Sequence, residues 1–234
     1  MIESVVYLII AAILLFAYIS FSSSLREIRA TQTELVIENL NSEIPVIQEL
    51  SKYEPETYKQ FKQDFSEAIN TGKDKEETID TIKPYFQEIF NLVYSKYLPV
   101  ASDESILNFS TYLYDNIFEN DEDCYAYFAQ GYISEYNDDN LHKILVEVVR
   151  TGAETPTQLN DISSAQLSLA QIQEGLASTY GDDLAMLQDR RKKGADKQKI
   201  CIMASDMYRR ILQLPKEESA TLLRYLLANP NRSN

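Results

Sequence analysis

Two thiols, Cys124 and Cys201, and one imidazole, His142, are the whole supply of cysteine and histidine in this chain. Three such groups fall short of a four-ligand structural zinc site, and a single histidine leaves little room for imidazole acid–base chemistry. No G-x-x-x-x-G-K, G-x-G-x-x-G, H-E-x-x-H or G-x-S-x-G pattern occurs. The run from Glu119 to Asp123 is dense enough in carboxylates to suggest calcium. It lacks the glycine at the sixth position and the glutamate at the twelfth that an EF-hand loop requires. These acids suit the start of a helix, where negative charge meets the helix dipole. His142 reads as a solvated or capping residue on a polar face. Each cysteine reads as a small buried hydrophobe, with a Cys124–Cys201 bridge left open. No cofactor, no metal and no catalysis are expected.

What remains is recognition chemistry, and the charges are unevenly placed for it. The net charge is −14, from 22 basic and 36 acidic residues. Between Ala101 and Val149 there are eleven acids against Lys143 alone, whereas Arg190 to Asn234 carries eleven bases against four acids. Tyrosine is concentrated in the acidic segment, with six between Tyr112 and Tyr136. Tyr114 and Tyr127 fall out of phase with the apolar faces of their helices. Tyr114, Glu119, Asp121, Glu122, Asp123 and Tyr127 are therefore the candidate partner-binding residues, for a protein with a basic patch. Arg190, Arg191, Lys192, Lys193, Lys197 and Lys199 form the candidate anion-binding strip, aimed at lipid head groups, an acidic partner or the chain's own acidic segment. Nucleic acid is not expected, because the overall charge repels it and no aromatic platform interleaves with the bases.

The elements that must position these residues are helices. Residues 4–22 carry no charge and are long enough at about 1.5 Å per residue to cross a hydrocarbon core of about 30 Å. They read as an uncleaved single-pass anchor, since no basic stretch precedes them. Arg26 and Arg29 follow, which places the bulk of the chain in the cytoplasm by the positive-inside rule, with a periplasmic location as the alternative.

After the anchor (1–24) come a juxtamembrane helical stalk (25–50), an acidic tyrosine-rich bundle (51–152) and a C-terminal sub-bundle with the basic segment (153–234). Apolar residues recur at spacings of three and four throughout, as in Tyr58, Phe61 and Phe65, in Ile106, Phe109 and Leu113, and in Leu141, Ile144, Leu145 and Val148. Asn70 to Gly72 closes one helix, Pro84 predicts a kink, Thr151-Gly152 ends another helix and 151–168 links the two sub-bundles. Pro215 opens the last helix and Asn229-Pro230 stops it.

The fold class is all-α: one transmembrane helix and a multi-helix bundle, with two sub-bundles as its open subdivision. The function expected is that of a membrane-anchored scaffold, adaptor or accessory subunit. The alternative is an immunity or inhibitor protein that neutralises a basic partner through the acidic middle.

Overall fold

The computed structural model describes residues 37–38, 41, 44–71, 84, 88–130, 138–188, 190 and 194–228. The expected anchor, the first part of the stalk, the segment around Pro84, Arg191 to Lys193 and Asn229-Pro230 lie outside them, apart from Pro84 itself. The described residues are helical, with no strand among them, and none of their helices is long and apolar enough to cross a membrane.

In chain order, α1 (Pro45–Tyr53) and α2 (Pro55–Thr71) each open on a proline, which lacks the amide that a first turn leaves unpaired. α3 covers residues 88–92, widens into a π-helical turn at Val93–Tyr97 and closes on a 3-10 turn at Leu98–Val100. α4 (Asp103–Tyr112) continues into a second π turn, Leu113–Ile117; α5 (Asp121–Tyr125) continues into a third, Ala126–Gln130. α6 (Asp139–Glu154), α7 (Ile162–Tyr180) with its 3-10 extension Gly181–Leu184, α8 (Ala185–Gln188), α9 (Lys197–Leu212) and α10 (Lys216–Ala228) complete the body.

The caps are side-chain oxygens that accept otherwise unpaired amide protons. Ser102 accepts from the Ser105 amide, Asn120 from Glu122 and Asp123, Asp138 from Asn140 and Leu141, Asp161 from Ser164, and Asp196 from Lys199.

One hydrophobic core runs through both halves of the chain, from Ile37, Val46 and Ile47 through Phe109, Leu141 and Leu145 to Ile211, Leu222 and Tyr225. α1, read from the sequence as the end of a stalk, packs on α6 with Val46 and Ile47 buried. Glu49, on the same helix, is buried and held by Lys52 at 2.6 Å and Arg150 at 3.4 Å.

The last helix, α10, lies against both α4 and α7. Its Arg224 is 3% exposed and reaches across the core, donating to the Pro99 carbonyl at 3.1 Å, the Ala101 carbonyl at 2.7 Å and Asp103 Oδ1 at 3.0 Å.

Two punctuation marks act differently from expectation. Gly152 does not end α6, which continues to Glu154. A Cβ there would sit 2.7 Å from the Tyr97 carbonyl oxygen, so glycine is what lets α6 lie directly on the π turn after α3. The expected linker at 151–168 shrinks to residues 155–161, one of which, Thr157, donates its amide to the Val100 carbonyl at 2.8 Å.

Candidate functional site

The acidic and basic segments meet in the folded body, and a covalent bond joins them. Cys124 on α5 and Cys201 on α9 form a disulfide across 77 residues, with both side chains buried. The bond replaces the expectation of two separate small hydrophobes. Around it, Lys197 pairs with Glu122 at 2.7 Å and lies over the Tyr125 ring, 5.3 Å from its centroid. The Tyr125 hydroxyl donates to the Arg190 carbonyl at 2.8 Å. Arg190 in turn donates to the carbonyls of Phe128 at 3.0 Å and Leu187 at 3.1 Å. Lys199 pairs with Asp183 at 2.8 Å, and this hydrogen bond and charge raise the lysine above its ordinary pKa. Arg190, Lys197 and Lys199 are thus engaged within the molecule, although the two exposed lysine ion pairs stabilise it little.

The six candidate partner-binding residues do not form one patch. Tyr114, Glu119 and Asp121 line a groove of about 550 Å³ between the end of α4 and one side of α9. Ile202, half exposed, stands on its wall, and Phe118 backs it with an edge-on contact to Tyr208 at 4.8 Å. Asp206 lies in the wall, 9% exposed, and bonds Arg209 and Arg210. Burial alone would raise its carboxyl, but hydrogen bonds from the two arginines prevail and hold it below the ordinary range. Arg210 is braced further by donating to Thr179 Oγ1 at 3.3 Å. Those arginines are therefore committed to Asp206, whereas Glu119 and Asp121 are exposed and carry no ion pair among the described residues. What this groove offers is carboxylate beside aromatic and aliphatic surface.

Glu122 is taken up by Lys197, and Asp123 is half-buried beside it in the first turn of α5. Tyr127 faces elsewhere. It is half-buried rather than exposed and lines an apolar cavity of about 800 Å³, together with Tyr208. Burial raises the pKa of both tyrosines. Tyr114 is likewise half-buried against the core.

His142 corrects a further expectation. It is 2% exposed, and neither ring nitrogen has a hydrogen-bond partner among the described residues. The reason is visible in the helix period: His142, Leu145 and Val149 are three and four residues apart, so the ring shares the buried stripe of α6. Among the described residues no three metal-ligating side chains converge. Comparison of the chain with protein-family models, with curated proteins and with solved structures returns no match.

The Asp206–Arg209–Arg210 cluster was missed by sequence reasoning. Its signal is there, an acid followed at three and four residues by arginines on one helix face. It was absorbed into the basic count of the C-terminal segment.

Proposed function

We propose that the chain is a single-pass, membrane-tethered interaction protein, a scaffold, adaptor or accessory subunit, whose working face is the acidic groove beside the disulfide. The observation that carries this reading is the grouping of Glu119 and Asp121 with Tyr114 and half-exposed Ile202, while the arginines nearby are already paired with Asp206. A partner that brings a basic side chain flanked by apolar surface would gain charge complementarity at the rim and burial at Ile202. The uncharged run 4–22 supports the tether.

For the side of the membrane, the disulfide weighs against the cytoplasm. Such bonds persist in oxidising compartments and are rare in reducing ones, which supports the periplasmic or luminal alternative. Two arginines after the anchor point the other way, but a rule built on loop charge yields to a buried covalent cross-link.

The test places a photo-crosslinking amino acid at Ile202 in the full-length chain expressed in its native membrane. A specific adduct is expected, weakened by raised salt and by the double reversal E119K/D121K. Crosslinking that is indifferent to that reversal, with helicity retained, refutes the groove as the working face. A stoichiometric membrane-embedded adduct supports an accessory subunit; a single basic soluble one supports the inhibitor alternative.

A further inference from the structure

The acidic groove has two walls, and the Cys124–Cys201 bond lies where they meet. One wall carries Glu119 and Asp121, ahead of and at the start of α5; the other is α9, through Cys201, Ile202 and Asp206. Cys201 is itself a lining residue, and its sulfur lies 3.6 Å from the Asp121 carbonyl oxygen. Cys124 follows Asp121 by less than one helical turn and completes the bond.

Apart from that bond the acidic wall is lightly held. Upstream, Phe118 packs edge-on against Tyr208, so the stretch from Glu119 to Asp123 is strung between that ring contact and the disulfide. α5 is five residues long, and Cys124 is the residue it buries. Its ties to the basic segment are the Glu122–Lys197 pair, the Lys197 contact with the Tyr125 ring and the Tyr125 hydroxyl's bond to the Arg190 carbonyl. All of these are made by exposed or half-buried groups. The covalent link is therefore what keeps two exposed carboxylates at a fixed distance from Ile202.

We infer that the bond is a redox latch on the groove. Closed, it holds Glu119 and Asp121 opposite Ile202; opened, it lets α5 move away from α9, and the groove loses its basic partner. This rests on the groove being the working face. Opening is a thiol–disulfide exchange with a dithiol oxidoreductase. One thiolate of the reductant attacks the Cys201 sulfur, the one on the groove side, the S–S bond breaks and Cys124 leaves as a thiolate. The second reductant thiolate then displaces Cys201 from the mixed disulfide. Each released cysteine takes up a proton given up by a reductant thiol, so the chain ends with two thiols and the reductant with one disulfide. Both sulfurs are buried, so the exchange needs α5 to lift, which a partner spanning the two walls opposes. The relation is reciprocal: the factor that oxidation adds to partner affinity is the factor by which the partner resists reduction of the bond.

The experiment uses the full-length chain in membranes isolated from its own cells, with a benzophenone amino acid at Ile202. Irradiation yields two products, adducts within the chain to residues 119–123 and an adduct to the partner, both mapped by mass spectrometry. Both should form in the oxidised protein. Reduction with dithiothreitol, and separately C124S/C201S, should lower both by about fivefold or more, the lower end of coupling between sites. Purified samples of each should keep their helical circular dichroism. Gly152→Ala, which loosens the body at Tyr97 and leaves the groove walls unchanged, should keep both products and so separates a latch from a general loss of stability. Products unchanged after reduction, or lost equally in Gly152→Ala, would overturn the latch, as would a partner adduct that survives the loss of the internal ones. No partner adduct from the oxidised protein, with the internal adducts intact, would instead sink the groove as the working face.

Discussion

Reduction of the Cys124–Cys201 bond should lower the stability of the helical body substantially, and by an amount the chain itself sets. The bond closes a loop of 77 residues, and the chain-entropy relation for a loop of that length gives about 4.5 kcal/mol at 25 °C. In that relation the change falls on the unfolded state, which regains the freedom the cross-link removed. Both sulfurs are buried, and two thiols cannot stay at bonding distance, so repacking around them adds to the loss. For a body of this size, where 1 kcal/mol moves the melting temperature by roughly 2–4 °C, the expected drop is about 9–18 °C.

The assay is thermal melting of the full-length protein in nanodiscs, followed by far-ultraviolet circular dichroism. It compares the oxidised protein, the reduced protein and the double variant C124A/C201A, with thiol titration to establish the starting state. Hydrogen exchange should single out α5. Without the bond it keeps the Glu122–Lys197 pair, the Lys197 contact with the Tyr125 ring and the Tyr125 hydroxyl's bond to the Arg190 carbonyl, a small set for a five-residue helix. Melting temperatures that agree within about 2 °C, from a starting protein with no free thiol, would refute the loop-entropy reasoning. Free thiols in protein taken directly from the cell would refute the bond itself, and with it the proposed oxidising compartment.

Gly152→Ala should cost about 1–3 kcal/mol in denaturant unfolding, because its Cβ would meet the Tyr97 backbone oxygen at 2.7 Å and push α6 from the turn after α3. Gly175→Ala is the control. Its Cβ meets only the end of the Arg210 side chain, at 2.5 Å, and a better helix former should leave stability within about 1 kcal/mol of the parent or slightly above. Asp138 supplies the acid limb of the stability profile. The Tyr112 hydroxyl at 2.7 Å holds its carboxyl below the ordinary value of 3.8, helped by the Asn140 and Leu141 amides and opposed by burial. A folded-state value below the unfolded one means that the stabilisation is whole above about pH 4 and drains away as pH falls through the folded value. Asp138→Asn should therefore flatten unfolding curves taken at falling pH. An unchanged acid limb would discount the Tyr112 bond, provided Asp206 is held constant.

Helix existence was legible because the apolar period is strong, and the caps were legible where serine or aspartate sits before it. The acids of Glu119 to Asp123 fall at and just before the first turn of α5, where the dipole argument puts them. The three π turns were not legible, since one extra residue per turn leaves the local spacing of apolar residues nearly intact. Gly152 misled because a glycine that stops a helix and a glycine that admits a neighbouring backbone look the same in one dimension. The candidate site was legible as composition only. Tyr114 and Tyr127 were both placed off their helices' apolar stripes, but the π turns rotate the residues after them, and Tyr127 ends inside the cavity wall. The bridge stayed open in the sequence because α5 and α9 are neighbours only through tertiary packing.

Arg224 gives the fold a direction in time. The carbonyls of Pro99 and Ala101 are produced early in synthesis, and the guanidinium that satisfies them belongs to the last described helix of the chain. Cys201 likewise arrives long after Cys124. While the chain is being made, the middle of the body therefore waits with two acceptors bare and one thiol unmatched. The surfaces of α4 and α7 that α10 will cover stand open meanwhile. A nascent chain in this state is an unfinished surface that folding helpers and oxidants meet before any mature partner does, so the closing helix governs when the molecule becomes presentable to the cell.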